Sequence, residues 1–202
     1  MARKSKHEAE KTRQALLDSA LQMFGELGLV KTTLSQIAKN AGVTRGAIYW
    51  HFDDKADLMM ALWQAEFSGF NIIAAEMASL TGKELRQALL QSCQEFCQQC
   101  FSNPRLQQVV KLSLQVYADE DCMKIFADCR QQDIDSLQAV MDLLFAEQQL
   151  LPHLNAESAT WVLNAMIAGF CHQWVVVDED KQIAGQLPAL MRSLECSLFN
   201  TA

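Results

Sequence analysis

The sequence predicts an all-α protein of about nine helices. Apolar residues recur at intervals of three and four along almost every segment, which is the helical period. No stretch alternates apolar and polar residues over more than a few positions, as a half-buried strand would. The chain of 202 residues contains 8 Gly and only 3 Pro, with half of its residues hydrophobic and a fifth charged. This composition excludes disordered, collagen-like and small disulfide-stapled chains, and it suffices for a buried core.

The first three predicted helices belong to the N-terminal part of the chain. The first spans about residues 8–26 and is followed by Gly28, a natural C-terminal stop. A short second helix begins after Thr33, which is followed three residues later by Gln36 in the pattern of a capping box. Thr44 can cap an equally short third helix.

Six further helices are predicted in the rest of the chain. A long fourth helix starts at Asp53 or Asp54 and carries apolar residues toward Met77. The remaining helices are predicted at 83–101, 104–118, 121–150, 156–177 and 182–199. The longest apolar run, at 161–177, is interrupted by polar residues and is at the short limit for a membrane span, so we interpret it as a buried helix.

Charge is unevenly distributed along the chain. The net charge is -7, and the isoelectric point is about 5.1, which taken alone would argue against nucleic-acid binding. Residues 1–60 hold 9 basic and 7 acidic side chains, whereas the other 142 residues hold 8 and 17. The asymmetry predicts two regions with different partners. Seven cysteines and no apolar N-terminal signal segment lead us to expect a reducing cytoplasm.

The segment from Thr33 to Phe52 predicts a helix-turn-helix. Two short helices flank a turn at 41–43, and such a pair places its second helix in the major groove of DNA. Arg45 at the start of that helix can contact guanine O6 and N7 together. Tyr49 and Trp50 point outward in this arrangement, and each is as well suited to packing on the first helix as to touching DNA.

Other residues of this segment are predicted to contact the DNA backbone. They carry hydroxyl, imidazole or amine groups, or they lie at a helix N-terminus whose free N–H groups favour phosphate. The basic arm at 3–6 is a further candidate for phosphate or minor-groove contacts. The predicted DNA-binding residues are Thr33, Thr44, Arg45, Gly46, Tyr49, Trp50, His51 and Lys55.

These motifs resemble the DNA-binding head of the tetracycline-repressor (TetR) family. The matching positions are Thr12-Arg13-Gln14, Ala20, Phe24, Gly28, Thr32-Thr33, Ile37-Ala38, Ala41 to Phe52, and Lys55. The run from Val43 to Phe52 is most similar to the AcrR-type branch, which represses multidrug efflux pump genes. The resemblance covers the first third of the chain. It implies a DNA-binding domain at 1–53 and a ligand-binding and dimerisation domain at 54–202.

The same resemblance implies a ligand-responsive transcriptional repressor in the bacterial cytoplasm, associated with the nucleoid. A hydrophobic drug-like or bile-salt-like inducer would bind the body and release the protein from its operator. The fourth helix would transmit the effect of inducer binding in the body to the DNA-binding head. The alternative is a helical small-molecule carrier or sensor that binds no DNA, and the helix at 45–51 distinguishes the two functions.

Two C-terminal helices are candidates for a dimer interface. Helix-turn-helix proteins typically bind palindromic operator DNA as two-fold dimers. The helix predicted at 156–177 is apolar on nearly every side and has small residues, and the last helix has an apolar stripe. The predicted interface residues are Ala165, Ala168, Gly169, Leu187, Leu190, Met191, Leu194 and Leu198. Internal packing of both helices is the alternative.

Aromatic residues of the body predict an apolar ligand pocket, because such walls adapt to flat, hydrophobic molecules. The candidate pocket residues are Trp63, Glu66, Phe67, Phe70, Phe96, Tyr117, Phe170 and Trp174. The family resemblance implies a cavity between the fourth helix and the helices from 83 to 177. The alternative is that most of these residues belong to an ordinary core.

The sequence offers little support for a metal site, a redox site or an enzyme. Cys93, Cys97 and Cys100 share one helix face, which suggests a metal or redox site, but a core stripe is favoured because Cys is often buried and no CxxC pair or His lies nearby. The sequence has no nucleophile elbow, P-loop, dinucleotide fingerprint or HExxH motif. We therefore expect no enzyme activity, no cofactor, no metal and no membrane association.

Overall fold

The computed structural model describes residues 2–77, 79–116, 120–177 and 183–200, with the backbone alone described at 2–5, 67–76, 125, 129 and 176–177. These ranges contain nine α-helices, a short 3₁₀ helix and no β-strand, which confirms the predicted all-α class. The helices are α1 (Ala2–Leu27), α2 (Leu34–Asn40), α3 (Arg45–His51), α4 (Lys55–Met77), α5 (Gly82–Ser102), α6 (Pro104–Ser113), α7 (Glu120–Ala146), α8 (Ala156–Val177) and α9 (Leu187–Leu198).

Several helix ends differ from their predicted positions. α1 begins at Ala2, six residues before the predicted start, and α6 ends at Ser113 rather than near 118. α7 ends at Ala146 rather than near 150, because Gln148 adopts a left-handed backbone with a φ of 55° that no helix continues through. The 3₁₀ turn at 184–186 precedes α9, which therefore starts at Leu187; the predicted start at 182 lies outside the described residues.

The chain folds into two compact units. The first, here called the head unit, consists of residues 1–67 and 111–129. It thus extends beyond residue 53, where the sequence predicts the DNA-binding domain to end. Its core includes Phe52, which follows α3, and the apolar side chains of α1 to α4 that are less than 3% exposed, namely Leu16, Leu17, Ala20, Phe24, Ile37, Ala38, Ile48, Ala56, Leu58 and Leu62. Burial of this apolar area is the main term that holds the short helices α2 and α3 in place.

A buried polar contact also joins α1 to α2. The hydroxyl of Ser19 donates to the backbone carbonyl of Ile37 at 2.9 Å, and the side-chain amide of Asn40 donates to the same hydroxyl at 3.0 Å. Ser19 is only 5% exposed, so its hydroxyl needs the Ile37 carbonyl as an acceptor inside the protein. This contact fixes the last turn of α2 against α1.

The second compact unit, here called the body unit, consists of residues 68–110 and 130–202. Its core brings together α5, α7, α8 and α9, with fully buried side chains such as Leu85, Met141 and Leu194. An isolated antiparallel bridge pairs Leu150 with Phe199 and closes the C-terminal end of this core.

α8 contains the apolar run that the sequence predicts to be a buried helix. One face of α8 is buried in the body unit, including Leu163 and Trp174, whereas Trp161 on the opposite side is 53% exposed. No helix among the described residues is long and apolar enough to cross a membrane.

Candidate DNA-binding and ligand-binding sites

The start of α2 is fixed by the predicted capping box. Thr33 has extended backbone, and its hydroxyl accepts a hydrogen bond from the backbone N–H of Gln36 at 3.3 Å. In return the Thr33 N–H donates to the side-chain carbonyl of Gln36 at 2.8 Å. Two otherwise free N–H groups at this helix end are satisfied by residues only three positions apart. Thr33 itself is exposed, as a residue that contacts DNA must be.

The turn between α2 and α3 depends on a glycine. Gly42 has a φ of 70°, a left-handed conformation that side chains with a Cβ rarely adopt. The N–H of Val43 then donates to the Ala38 carbonyl at 3.0 Å, which closes the end of α2. Two residues later Thr44 caps α3, and its hydroxyl accepts from the Ala47 N–H at 3.2 Å. The geometry of the predicted helix-turn-helix therefore follows from Gly42 and Thr44.

The outer face of α3 presents a cation and two aromatic rings. Trp50 is 73% exposed and Tyr49 is 46% exposed, so neither is taken up by packing on α1. The Arg45 guanidinium lies over the Tyr49 ring, 5.7 Å from its centroid, in a cation–π contact. A Cβ added at Gly46 would meet only the Thr44 hydroxyl, at 3.9 Å, so the backbone is open there. Four of the eight residues predicted to contact DNA, namely Arg45, Gly46, Tyr49 and Trp50, lie on this uncovered face.

His51 lies at the end of α3 and is half-buried. Its ring packs edge-on against Trp50 with centroids 4.6 Å apart. Burial lowers the pKa of His51, the nearby Arg13 guanidinium lowers it further, and Glu10 opposes both effects. At neutral pH His51 is therefore an uncharged hydrogen-bonding group in the absence of DNA.

Lys55 has a role within the chain that the sequence analysis missed. It is half-buried, and its amine donates a hydrogen bond to the backbone carbonyl of Leu29 at 3.2 Å. The N–H of Leu29 donates in turn to the side-chain carbonyl of Gln115 at 3.3 Å. The loop after α1 is thus held from two sides. Gln115 lies 86 positions from Leu29, and no local pattern could have identified this contact.

The predicted pocket residues fall into separate places. Trp63 packs edge-on against Phe126 in the head unit, with centroids 4.8 Å apart and only 7% of Trp63 exposed, so it belongs to that core. Glu66 and Phe96 are half-buried. The side chains of Phe67 and Phe70, and all of Tyr117, lie outside the described residues.

Two of the predicted pocket residues do come together in the body unit. Phe170 and Trp174 on α8 both contact Phe101 at the end of α5, with ring centroids 5.7 and 5.1 Å from that of Phe101. Phe101 and Phe170 are partly exposed, whereas Trp174 is 6% exposed. We call Phe101, Phe170 and Trp174 the aromatic cluster. Phe101 is absent from the predicted pocket set because its contacts with α8 are tertiary.

The three cysteines of α5 are core residues. Cys93, Cys97 and Cys100 are at most 1% exposed, and the Cys97 sulfur lies 4.0 Å from that of Cys171 on α8. Burial raises the pKa of Cys93 to about 12, and the contact with Cys171 together with burial raises that of Cys97. The thiols of Cys93 and Cys97 therefore stay protonated at neutral pH, whereas a reactive cysteine needs its thiolate form. Among the described residues no group of three or more His, Cys, Asp or Glu is arranged to hold a metal.

A polar contact joins α7 to α8. The Arg130 guanidinium donates to the side-chain carbonyl of Asn164 at 2.9 Å. Burial lowers the pKa of His172, and Arg130 lowers it further, so His172 is uncharged at neutral pH.

The predicted dimer residues on α8 are at least partly exposed, whereas most of those on α9 are buried. On α8, Ala165 and Gly169 are exposed and Ala168 is half-buried, beside the exposed Trp161. These positions form an uncovered apolar face, here called the α8 face.

The assignment of α9 to the interface needs correction at three positions. Leu187 is 7% exposed and Leu194 and Leu198 are fully buried, so the chain already covers these side chains and no second copy can contact them directly. Leu194 and Leu198 pack in the core of the body unit. Leu190 and Met191 are half-buried and stay available. The apolar stripe of α9 therefore faces mainly the interior of its own chain.

Comparison with known proteins identifies the family. Residues 16–62 match the family described as bacterial regulatory proteins, tetR family. The transcriptional regulator AcrR of Shigella flexneri is 53% identical over 76 residues, which are 38% of this chain and 35% of AcrR. The transcriptional repressor BepR of Brucella suis biovar 1 (strain 1330) is 33% identical over 181 residues, or 86% of this chain and 85% of BepR.

A solved structure shows the same fold over the whole chain. The crystal structure of NalD, described as the secondary repressor of the MexAB-OprM multidrug efflux pump in Pseudomonas aeruginosa, has a TM-score of 0.84 and 24% sequence identity. The match covers 97% of this chain and 100% of NalD. Regulators of the tetR family bind operator DNA, act as dimers and bind small-molecule ligands. With a matching head and a relative, BepR, that aligns with 86% of its residues, this chain belongs to the AcrR-like branch of the tetR family and is a ligand-responsive, DNA-binding transcriptional repressor, not an enzyme.

Proposed function

We propose that this protein represses a multidrug efflux pump operon. It binds a palindromic operator as a homodimer, through α3 in the major groove, and it leaves the operator when a hydrophobic drug-like or bile-salt-like inducer binds the body unit. It acts in the bacterial cytoplasm at the nucleoid. The pump operon as target rests on the similarity to AcrR and NalD, whereas the mode of DNA binding rests on this chain's own residues.

The observation that carries the DNA-binding proposal is the outer face of α3. Arg45, Tyr49 and Trp50 are exposed on α3. Thr44 caps the start of this helix, and the left-handed backbone of Gly42 forms the turn that leads into it. Large exposed aromatic groups on a rigid helix indicate a binding surface. An arginine at the first turn is the residue type that reads guanine in the major groove. Contacts to phosphate from Thr33, Thr44, Gly46 and His51 remain predictions that this placement supports.

The dimer proposal rests on the α8 face. Ala165 and Gly169 allow a second helix to approach closely, and the neighbouring Trp161 supplies a large apolar ring. Leu190 and Met191 of α9 are half-buried and can extend this surface. The two-fold symmetry of such a dimer would match the symmetry of a palindromic operator.

Coupling between DNA and inducer is proposed to run along α4. This helix starts in the head unit, and its residues from 68 onward belong to the body unit. In the dimer, an inducer would favour a spacing of the two α3 helices that does not fit consecutive major grooves, and this would lower the affinity for the operator. By thermodynamic linkage, operator DNA must lower the affinity for the inducer in the same proportion. Saturating operator DNA should therefore weaken binding of the inducer by the same factor.

An electrophoretic mobility shift with DNA from upstream of the gene itself and of neighbouring pump genes tests the proposal. We expect specific shifts, and we expect Arg45→Ala to weaken the specific complex by about 5- to 150-fold while affecting random DNA much less. Lys83→Ala, which removes an exposed positive charge from α5, is the control and should change neither. If the unaltered protein shifts none of these DNA segments at low salt, the proposed pump operon is not its target.

A further inference from the structure

We propose that the indole N–H of Trp174 is the hydrogen-bond donor of a ligand subsite, and that this subsite takes flat, uncharged aromatic molecules carrying an acceptor such as a ring carbonyl. The inference rests on the proposed function, in which the body unit binds a hydrophobic inducer. It adds the chemical class of that molecule and the residue that recognises it.

The first observation is a buried donor without an acceptor. Trp174 is 6% exposed, and its Nε1 has no hydrogen-bond partner among the residues that the structure describes. Folded proteins pair nearly all buried polar groups, because an unpaired donor loses its hydrogen bond to water and receives nothing in return. A ligand oxygen that accepts from Nε1 would remove this penalty, whereas a purely hydrocarbon ligand would leave it.

The second observation is the arrangement of rings around the indole. The Phe101 ring lies 5.1 Å from that of Trp174 at an interplanar angle of 55°, and Phe170 lies 5.7 Å from Phe101 at 64°. Phe101 and Phe170 keep part of their surface exposed, although Trp174 beside them does not. Tilted and edge-on ring contacts at these distances are favourable, and a flat aromatic ligand can make more of them against the exposed parts of the two phenylalanines.

The third observation is the neutrality of the neighbouring groups. Cys97 and Cys171 precede Phe101 and Trp174 by about one helical turn, and both are buried. Contact with Cys171 and burial raise the pKa of Cys97, while a hydrogen bond to Cys100 is the largest cause of the raised pKa of Cys171. Both thiols are therefore uncharged. A charged ligand would lose its hydration here without gaining a counter-ion from them, so this wall favours a neutral molecule.

A matched pair of ligands isolates the hydrogen bond. 9-Fluorenone and fluorene have the same fused rings, but only fluorenone has a carbonyl oxygen. With the full-length protein, titration calorimetry should show fluorenone binding about tenfold more tightly or better. Trp174→Phe keeps an aromatic ring and removes the donor, and it should bring the two affinities to within about threefold. Phe145→Leu, at an exposed position of α7 with no role in either proposed interface, should leave the preference unchanged.

A spectroscopic measurement covers the case in which Trp174→Phe does not fold. In a proton–nitrogen correlation spectrum of the unaltered protein, fluorenone should move the indole resonance of Trp174 downfield, and fluorene should not. Single Trp→Phe changes at positions 50, 63 and 161 assign that resonance by exclusion. Equal affinity for the two ligands, a preference that survives Trp174→Phe, or binding of neither ligand would overturn the inference.

The operator mobility shift, run on the same samples, separates this inference from the proposed function. Release of the operator by fluorene and fluorenone at equal concentrations would support an aromatic inducer and overturn the role of Trp174. A protein that shifts its operator but binds neither ligand would keep its DNA-binding function and lose the proposed ligand class. A protein that shifts no DNA would lose the proposed function whatever the calorimetry showed.

Discussion

The amine of Lys55 donates a hydrogen bond to the backbone carbonyl of Leu29 at a distance of 3.2 Å. The contact ties the first residue of α4 to the loop that follows α1. Leu29 is itself 1% exposed and receives a second restraint from Gln115. Lys55 is thus a structural residue of the head unit, and a role toward phosphate would have to be additional to this one.

Lys55→Met tests which role dominates. The change keeps much of the side-chain length but removes the donor to Leu29, so we expect the free energy of unfolding to fall by about 1 kcal/mol. Removing a phosphate contact would instead lower the salt dependence of operator binding by about 0.9 per contact in a log–log plot. Urea unfolding and operator affinity at several salt concentrations measure both quantities. Lys39→Met, at an exposed lysine in the last turn of α2, is the control for loss of charge. If Lys55→Met lowers the salt dependence of operator binding and leaves the free energy of unfolding unchanged, Lys55 acts mainly as a phosphate ligand.

Thr33→Ala should destabilise the head unit by about 1 kcal/mol, because the capping box loses the hydroxyl that accepts from the Gln36 N–H. Thr33→Ser keeps the hydroxyl and should recover most of the loss. Ser35→Ala, at the exposed second position of α2, should have little effect. Urea unfolding of the three variants gives the comparison. Equal stability of Thr33→Ala and the unaltered protein would mean that water replaces the cap at no cost.

The lowered pKa of His51 predicts a pH dependence of stability. The unfolded chain takes up a proton near the ordinary pKa of 6.5, whereas burial and Arg13 resist protonation of the folded form. The free energy of unfolding therefore includes a contribution that is complete above pH 6.5 and is lost as the pH falls from 6.5 toward the folded-state pKa. Thermal unfolding of the protein and of His51→Gln between pH 7.5 and 5.5 measures it. The difference between the two should shrink with falling pH, and a constant difference would contradict the prediction.

Operator binding should depend on pH in the opposite direction if His51 faces a phosphate. The phosphate favours the charged imidazole, so the complex binds a proton more readily than the free protein does. Operator affinity should then rise as the pH falls from 7.5 to 6, and His51→Gln should remove the extra rise. A pH profile that is the same in both proteins would place His51 away from the DNA backbone.

Ala165→Glu should convert the proposed dimer to a monomer. The change puts a carboxylate into the centre of the α8 face, where a second copy would have to bury it unpaired. Light scattering after size exclusion should change from twice the chain mass toward 22.7 kDa. Gln98→Glu adds the same charge to the exposed side of α5 and should remain dimeric. A dimer that survives Ala165→Glu would show that copies associate through another surface.

Local contacts explain why the helix-turn-helix could be predicted closely. The partners of Thr33 and Thr44 lie three residues away, and Gly42 permits a conformation that few other residues adopt. Residue types at these spacings are sufficient to specify both caps and the turn. The outward direction of Arg45 and Tyr49 follows from the same short helices, since their opposite faces carry the buried apolar residues.

Apolar periodicity was less informative for the body. The apolar stripe of α9 correctly predicts that one side of this helix is buried. It does not show whether the same chain or a partner subunit buries that side. Leu194 and Leu198 are buried by their own chain, although a partner subunit would require the same pattern. In α7 the apolar repeat continues past the true end at Ala146, where the left-handed backbone of Gln148 stops the helix.

By itself, then, the sequence determined the helical class, the caps and the turn of the helix-turn-helix, and the residues that α3 exposes. The caps and the turn depend on contacts within five positions along the chain, and the apolar pattern of the short helices shows which side faces outward. Only the tertiary structure decided that Lys55 and Gln115 hold Leu29, that Phe101 joins Phe170 and Trp174, and that an indole N–H is left without a partner. Those relationships join residues separated by tens of positions, and they depend on how packed helices place side chains that have no sequence relation to one another.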